Sequence, residues 1–205
     1  MTVTGSTTHT KMPGELRRAQ IVEAATQLFA ETGYEGTSLR DVAERCGMTK
    51  AALYYHYTDK EALLRAVVEY RMIRLNDKIE AALAAVPEDR PLERIRAHVL
   101  ACAGHIHDDR AGWVVGARIF WSIETEPDRA DIVALRDRFE GLLRTEIEKG
   151  IAAGLLEDRN ASMMARMILS WLNYIPRWHR LDGPLTARDV AEQFLDMTLD
   201  GLRRH

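Results

Sequence analysis

The sequence predicts an all-α protein in which short helices come first and longer helices follow. Apolar residues recur at the three- to four-residue spacing of amphipathic helices almost throughout the chain. No segment shows the sustained apolar–polar alternation, rich in β-branched residues, that is typical of strands. The chain has 205 residues, 46% of them apolar and 29% charged, which is enough for one or two compact domains with a core.

The first two predicted helices are short and end at glycines. The stripe of the first helix has the spacing i, i+3, i+4, i+7 and i+8, and consists of Ile21, Ala24, Ala25, Leu28 and Phe29. Gly33 stands where a glycine past the last turn would stop this helix. Thr37 and Ser38 offer N-cap oxygens to the second helix, which we expect to end at Gly47.

The third and fourth predicted helices differ in length. Thr49 can cap a third helix that spans only residues 51–57. Thr58 and Glu61 have the spacing of a capping box, with Thr58 as the N-cap. The fourth helix that they begin is predicted to continue to about Ala85.

Prolines, glycines and polar residues divide the rest of the chain into five further helices. Their predicted spans are 92–107, 113–124, 127 or 128 to 153, 160 or 162 to 177, and 186–202. Thr186 is the expected cap of the last helix, after the turn at residues 182–184.

Composition excludes several classes of protein. The two cysteines, Cys46 and Cys102, are too few for a disulfide framework and are typical of a reducing, cytoplasmic location. No window approaches 18 uninterrupted apolar residues, so we expect no membrane span. The first dozen residues lack the apolar stretch of a signal peptide, and we interpret residues 1–14 as a disordered arm.

Residues 37–57 have the pattern of a helix-turn-helix. Gly47 permits the positive φ of the turn, and Thr49 then caps the second helix, which enters the DNA major groove in this motif. Leu53 and Tyr57 lie one turn apart and can face the core. The residues that we expect to reach base edges or phosphates are Lys50, Ala51, Ala52, Tyr55 and His56. The two alanines allow a close approach to thymine methyl groups.

Other residues of this segment are candidates for phosphate contacts. Thr37 and Ser38 stand at a helix N-terminus, whose backbone N–H groups can bind a phosphate. Lys60, at the start of the fourth helix, can bind another phosphate as a point charge. The alternative is that these are three ordinary helices with aromatic packing, as in a helical interaction protein without DNA contact.

The stretch from Arg17 to about Val67 resembles the DNA-binding domain of the TetR family. The matching residues are Ile21, Ala24, Ala25, Phe29, Gly33, Tyr34, Thr37, Ser38, Asp41, Val42, Ala43, Gly47, Thr49, Leu53, Tyr54, His56, Tyr57, Lys60, Glu61 and Leu63. Tyr57 is a departure, because the family usually has phenylalanine there. The resemblance implies a homodimeric transcriptional regulator, usually a repressor released by a small molecule.

The resemblance also assigns roles to individual residues and domains. It implies that Tyr54, His56 and Lys60 contact phosphates, while residues 49–52 and Tyr55 face the groove. The fold class is then all-α, with an N-terminal three-helix helix-turn-helix domain (15–60) and a larger helical ligand-binding and dimerisation domain (61–205). The net charge of −3 lies entirely in residues 61–205, because residues 1–60 carry equal numbers of basic and acidic side chains.

Aromatic and polar residues of the second part are the candidates for an effector site. The predicted ligand-binding residues are Trp113, Arg118, Trp121, Trp171, Asn173, Tyr174, Arg177 and Trp178. Apolar pockets with a few converging polar groups are the usual ligand sites. Large aromatics at helical spacing are also typical of a solid core, and this alternative stays open.

The segment 177–186 resembles the W-Y-R-P-x-G-x-L-(S/T) segment of a TetR subgroup that responds to acyl-CoA thioesters. His179 replaces the tyrosine and Leu181 the proline of that segment. The resemblance implies an acyl-CoA effector from lipid or sterol catabolism. The alternative effector is a hydrophobic compound sensed by the regulator of an efflux pump. We expect no cofactor.

The last two helices are the expected dimer interface. Their apolar residues are Ile168, Leu172, Ile175, Val190, Phe194, Leu195, Met197 and Leu199. The alternative is that these residues pack within one chain. A dimer would place two recognition helices roughly 34–36 Å apart and read a near-palindromic operator.

An enzyme is the remaining alternative, and the sequence argues against it. It contains no Gly-rich phosphate loop, no H-E-x-x-H and no G-x-S-x-G motif. His105 and His107 are two residues apart, so they would lie on different faces of a helix and make a poor metal pair. We therefore predict no catalytic and no metal-binding residues.

Overall fold

A computed structural model describes residues 14–119 and 130–202, and the side chains of all of these except residues 117–119. Within these ranges the chain forms nine α-helices and no strand, which confirms the all-α prediction. The chain divides into two compact units, residues 1–64 and 65–205. Among the described residues, no helix is both long enough and apolar enough to cross a membrane.

The first unit contains three helices and the start of a fourth. They are α1 (Gly14–Gly36), α2 (Leu39–Arg45), α3 (Lys50–His56) and the first turn of α4 (Lys60–Ala84). Its buried apolar side chains are Ile21, Val22, Ala25, Leu28, Phe29, Leu39, Val42, Ala43, Cys46, Leu53, Leu63 and Leu64. A single small core therefore holds α2 and α3 against α1.

The turns of the first unit follow the predicted capping pattern. Gly33 has a φ of 80° and Gly47 a φ of 61°, values that L side chains rarely adopt. Ser38 caps α2 in a reciprocal capping box with Asp41, and Thr49 caps α3 by accepting from the amide of Ala52 at 3.2 Å.

The N-cap of α4 differs from the prediction. Asp59, one residue after Thr58, accepts a hydrogen bond from the Ala62 amide at 2.7 Å. The Thr58 hydroxyl instead donates to the Asp59 carboxylate at 3.0 Å. A carboxylate is favoured at this position because it also meets the positive end of the helix dipole.

The second unit is built from the rest of α4 and five more helices. These are α5 (Pro91–Asp108), α6 (Arg110–Ile119), α7 (Ala130–Ala152), α8 (Ala161–Trp178) and α9 (Ala187–Leu202). Helix α5 is central, since it packs against α6, α7, α8 and α9. Its inward face carries Ile95, Val99, Cys102 and Ile106, all of them buried.

Most boundaries of the second unit agree with the sequence. Gly154 (φ 69°) follows the end of α7, Asn160 caps α8, and Thr186 caps α9 by accepting from the amide of Asp189. The break between α5 and α6 is a single residue, Asp109, where the sequence predicts a longer gap. Residues 120–129, including the expected start of the seventh helix, lie outside the described residues.

Candidate nucleic-acid interface and effector domain

Helix α3 is anchored by one buried side chain and exposes the rest of its surface. Leu53 has no exposed surface, whereas Lys50, Ala51 and Ala52 are exposed. Tyr55 is 88% exposed, which is unusual for a large aromatic ring. The structure therefore brings the predicted groove-facing residues together on one face of α3.

The aromatic residues near the end of α3 are arranged around its exposed face. Tyr54 is 44% exposed, and the Lys50 ammonium lies 5.5 Å from the centre of its ring. His56 is half-buried and meets Tyr55 edge to face at 5.5 Å between ring centres. Tyr57, expected in the core, is half-buried as well.

Ser38 and Thr37 have different environments, although they are adjacent. Ser38 is exposed, and its hydroxyl donates to Asp41 at 2.7 Å; the hydrogen bonds from Ser38 hold the pKa of Asp41 below its usual value. Thr37 is buried, its hydroxyl donates to the Gly33 carbonyl at 2.8 Å, and its amide donates to the Tyr34 carbonyl. The expected phosphate contact of Thr37 is thus corrected: its side chain and amide are used inside the protein, to fix the turn after α1.

Lys60 joins the start of α4 to the end of α1. Its ammonium donates to the Tyr34 carbonyl at 2.9 Å and lies 4.2 Å from the centre of the Tyr34 ring. Glu35 lies 3.9 Å from it. Because an ammonium has three N–H donors, these contacts leave capacity for a further acceptor.

The exposed arginines of α2 are already paired with acids. Arg40 contacts Glu44 at 2.8 Å, and Arg45 contacts Glu31 at 2.9 Å. These pairs contribute no net charge to the first unit. Its positive charge near α3 is therefore carried by Lys50 and Lys60.

The interior of the second unit contains buried polar side chains that the sequence analysis did not single out. His98 and Asn76 have no exposed surface. The ring of His98 packs on Phe139 at 5.6 Å between ring centres, and Asn76 donates to the Leu135 carbonyl, one turn earlier on α7. The sequence signal that could have identified His98 is its position within the apolar stripe of α5.

Several polar atoms of this interior have no hydrogen-bond partner among the described residues. They include the Asn76 amide oxygen, both ring nitrogens of His98, Nδ1 of His105 and Nε1 of Trp113. Buried polar atoms are normally paired, so these atoms have hydrogen-bonding capacity for a water or a ligand. Four helices, α4 to α7, contribute to their surroundings.

His98 and His105 are both neutral near pH 7. Burial lowers the pKa of His98 to about 3. Burial, followed by the positive charges of Lys78, Arg71 and Arg74, lowers the pKa of His105 to about 4. Their rings can therefore donate one hydrogen bond and accept another, but they offer no positive charge.

The predicted ligand-binding residues are divided between two places. Trp113 is buried beside His105, with ring centres 6.1 Å apart. The α8 residues Trp171, Asn173, Tyr174, Arg177 and Trp178 are half-buried or exposed on the outer side of that helix. The side chain of Arg118 and the whole of Trp121 lie outside the described residues. Ile168, Leu172 and Ile175 occupy the inward face of α8, so the aromatic residues of that helix lie on its outer side.

The outer side of α8 forms an apolar face with α9. Its most exposed members are Met163, Met167, Tyr174 and Trp178 of α8 and Met197 of α9, which are 45–64% exposed. A groove of about 450 Å³ runs between the helices, and its walls are Met167, Trp171, Phe194, Met197, Thr198, Gly201 and Leu202. Apolar surface of this kind marks interaction sites.

The exposed apolar face of α8 and α9 corrects the prediction of which residues lie at the dimer interface. Of the eight apolar residues expected at the interface, six are buried in the core of their own chain. Only Met197 is exposed, and Phe194 is half-buried under Trp171 and Trp178. Helices α8 and α9 do carry an exposed apolar face, but it lies on the side of each helix opposite to most of the expected residues.

The segment 177–186 forms the turn between α8 and α9. His179 is buried, and its Nε2 lies 2.8 Å from the Leu185 carbonyl. Arg180 and Asp182 form an exposed ion pair at 2.9 Å. The histidine that replaces the expected tyrosine therefore closes this turn.

The metal alternative finds no support in the arrangement of the histidines. His105 is buried and His107 is exposed, so they lie on different faces of α5 as predicted. In residues 14–119 and 130–202 no three His, Cys, Asp or Glu side chains are grouped to hold a metal ion.

Two protein families match this chain. Residues 88–202 match the family described as "Tetracyclin repressor-like, C-terminal domain". Residues 21–67 match the family described as "Bacterial regulatory proteins, tetR family". Together the matches include the helix-turn-helix and most of the second unit.

Individual relatives and solved structures are similar over most of their length. The transcriptional repressor KstR2 of Mycobacterium tuberculosis is 28% identical over 92% of this chain and 94% of that protein. The TetR-family regulator PfmR from Thermus thermophilus is 36% identical, with a TM-score of 0.78 over 90% of this chain and 99% of that one. AibR in complex with isovaleryl coenzyme A and operator DNA is 28% identical, with a TM-score of 0.77 over 88% of this chain and 97% of that one.

Proposed function

Because this chain belongs to the TetR family of bacterial regulatory proteins, we propose that it is a dimeric repressor that leaves its DNA operator when it binds a small molecule. The exposed face of α3 carries this proposal. Leu53 is fully buried and Tyr55 is almost fully exposed on the same two-turn helix. An interaction module without DNA contact would have no use for this arrangement beside two small, exposed alanines.

Residues 15–60 are the proposed DNA-binding domain. Ala51 and Ala52 allow the backbone of α3 to approach the major groove, where Lys50 and Tyr55 can reach base edges. Thr49 holds the N-terminus of α3 toward the bases. Ser38, Tyr54, His56 and Lys60 are the proposed phosphate contacts, which fix the register of the helix without reading sequence.

The apolar face of α8 and α9 is the proposed dimer interface. Its exposed methionines and aromatics are residue types enriched at the centre of protein interfaces. Two copies joined there would present two recognition helices to a near-palindromic operator.

Residues 61–205 are the proposed effector and dimerisation domain, and an acyl-CoA thioester is the proposed effector class. The segment 177–186 and the similarity to AibR, whose structure holds isovaleryl coenzyme A, support this class. The candidate contacts are Trp113, Arg118, Trp121, Trp171, Asn173, Tyr174, Arg177 and Trp178. The alternative effector, a hydrophobic compound of the kind exported by efflux pumps, is favoured by the uncharged interior around His98.

Helix α4 is the proposed connection between effector and operator, because its first turn belongs to the first unit and its remainder to the second. An effector that prefers a different arrangement of α4 shifts the population away from the DNA-binding state. The shift is limited by the difference between its affinities for the two states.

Operator binding can be tested without knowing the natural operator. The wild-type protein is used to select duplexes from a random DNA pool, and the affinity for the selected duplex is measured by fluorescence anisotropy. Tyr55→Ala and Lys60→Ala should each raise the Kd at least tenfold, because each removes a contact in both subunits. Leu155→Ala, which changes an exposed apolar residue of the second unit, is the matched control and should leave the Kd unchanged.

Two further measurements complete this test. All variants should sediment as dimers at micromolar concentration, and a stable monomer would contradict the proposed interface. Isovaleryl-CoA and longer acyl-CoA thioesters should raise the Tm and release the duplex, since a ligand of the folded state stabilises it. A Tm unchanged by every thioester, with release by an uncharged hydrophobic compound, would favour the alternative effector.

A further inference from the structure

Helices α4 and α6 are joined by a buried arginine. Arg71 of α4 is only 8% exposed, and its guanidinium forms an ion pair with the carboxylate of Asp109. An arginine remains charged in proteins, so a buried one requires a partner of opposite charge. The position of Arg71 is therefore tied to the position of Asp109.

Asp109 is the single residue between α5 and α6, and it has contacts with both helices. Its amide donates to the His105 carbonyl at 2.9 Å, which closes α5. Its carboxylate accepts from the Gly112 amide at 3.1 Å, which caps α6. His105 Nε2 lies 3.8 Å from the same carboxylate, but this ring is neutral, so Arg71 supplies the opposite charge.

Gly112 provides the space that Arg71 occupies. The Arg71 guanidinium lies against the backbone of Gly112, in the space that a Cβ would fill. At Gly116, one turn later on α6, a Cβ would meet no atom of the described residues within 4 Å. Glycine weakens a helix, and the space that the Arg71 guanidinium occupies gives the glycine at residue 112 a structural reason.

The first turn of α6 is also joined to α8. Arg110 donates to the carbonyls of Pro176 and His179 at the end of α8. Residues 109–112 are therefore a junction at which α4, α5, α6 and α8 meet. The buried rings of His105 and Trp113, which have unused hydrogen-bonding atoms, lie four residues before and after Asp109.

We propose that Arg71, Asp109 and Gly112 form a latch that holds α4 in the arrangement competent to bind the operator. Arg71, Asp109 and Gly112 are positioning residues, since they act on DNA only through α4. An effector that contacts His105 or Trp113 would meet the immediate neighbours of the latch and release it. This inference rests on the proposed function, because it assigns the contact through which the effector site controls α4.

Two glycine substitutions on the same helix test the latch. Gly112→Ala places a methyl group where the Arg71 guanidinium lies, whereas Gly116→Ala places it where no described residue lies within 4 Å. The probe is a duplex that the wild-type protein selects from a random pool. Its Kd is measured at about 25 °C. Gly112→Ala should raise the Kd at least tenfold, and Gly116→Ala should stay within twofold of wild type. Sedimentation and Tm measurements verify that both variants are folded dimers.

A second pair of variants removes the ion pair itself. Asp109→Asn keeps a capping oxygen for α6 but removes the charge, and Arg71→Met removes the guanidinium. Each should raise the Kd for the duplex, as Gly112→Ala does. The double variant Arg71→Met/Gly112→Ala should bind the duplex no more weakly than the weaker single variant, because both substitutions break the same contact.

The outcomes separate the latch from the function on which it rests. Equal affinities of Gly112→Ala and Gly116→Ala, with a wild-type protein that selects a duplex, would overturn the latch alone. An Arg71→Met variant with a lower Tm but an unchanged Kd of the folded dimer would also overturn the latch and leave the proposed function intact. A wild-type protein that selects no duplex contradicts the proposed function, and the latch with it.

Discussion

His98 is a titratable side chain with no exposed surface and no hydrogen-bond partner for either ring nitrogen among the described residues. Leaving a buried polar group unpaired costs on the order of 1–3 kcal/mol. The His98 ring is buried although its neighbours on the same helix, Ile95, Val99 and Cys102, are apolar and offer it no hydrogen bond. Such a residue is more easily explained by a ligand or water that it binds than by its contribution to packing.

Replacement of His98 by leucine should therefore stabilise the protein. At pH 7.5 we expect the free energy of unfolding to rise by about 1 kcal/mol, because the unpaired nitrogens are removed. The same substitution at His107, which is exposed on the same helix, should change it by less than about 0.5 kcal/mol. Urea denaturation measures both values, and a loss of stability in His98→Leu would show that its ring is paired.

The pH dependence of stability gives an independent check of His98. Its pKa is about 3 in the folded protein and 6.5 ordinarily, so between these values the unfolded chain binds a proton that the folded protein does not. The free energy of unfolding consequently falls as the pH is lowered from about 6.5. Between pH 7.5 and 5 the wild type should lose about 2 kcal/mol more than His98→Leu. Parallel pH profiles would contradict the burial of a neutral ring.

At the scale of secondary-structure elements, the end of α4 is held by Arg94 of α5. Arg94 donates to the carbonyls of Leu83 and Val86 at 2.7 and 2.8 Å, and it lies 2.9 Å from the buried carboxylate of Glu146 on α7. Glu146 is 3% exposed. One guanidinium thus satisfies a carbonyl in the last turn of α4 and another just after that helix, and it pairs with the buried charge of α7.

Loss of Arg94 should be far more harmful than loss of an equivalent surface arginine. Arg94→Met leaves Glu146 with only the partly exposed Lys149, and we expect it to lower the free energy of unfolding by about 3 kcal/mol. Arg90→Met, which removes an exposed pair with Glu93 at the start of the same helix, should cost at most about 1 kcal/mol. Similar costs for the two substitutions would mean that the Arg94 ion pair is effectively solvated.

Elements with local determinants could be predicted from the sequence. The glycines at 33 and 47 and the caps at Ser38, Thr49 and Thr186 depend only on neighbouring residues, so the helix-turn-helix was predicted closely. The face of α8 could not be predicted in this way. Its aromatic stripe and its aliphatic stripe lie side by side on the helix, and only the packing of α8 against α5, α6, α7 and α9 determines which one is buried.

The same distinction applies to the candidate sites. The exposed residues of α3 were predicted because one buried leucine fixes the orientation of a two-turn helix. The polar interior around Asn76 and His98 was missed, since a single asparagine or histidine in an apolar stripe has no spacing that identifies a partner. Arg71 was missed for the same reason, because its partner Asp109 is distant along the chain.

At the scale of the whole molecule, charge is distributed unevenly between the two units. The first 60 residues are neutral overall, and the net charge of −3 belongs to the remainder. Attraction of the whole protein to DNA is therefore weak. We expect operator affinity to depend on a few cations, held in place on two copies, rather than on a general positive surface.

The salt dependence of operator binding should reflect these few contacts. With two cations per subunit near the DNA, Lys50 and Lys60, log Kd should rise with log salt concentration with a slope of about 4. Lys60→Ala should lower this slope by about 2, because each subunit loses one phosphate contact. Arg144→Ala, which removes an exposed cation of α7, is the control and should leave the slope unchanged. A slope near zero in the wild type would exclude the proposed phosphate contacts.

The space above Gly112 has a consequence for how this protein can diverge in evolution. Because the Arg71 guanidinium occupies that space, a side chain at residue 112 requires that the end of the Arg71 side chain move or that residue 71 become shorter. Conversely, loss of the arginine removes the reason to keep a glycine within α6. The two positions are far apart in sequence, yet we expect substitutions at them to be inherited as a pair, with an intermediate that natural selection disfavours.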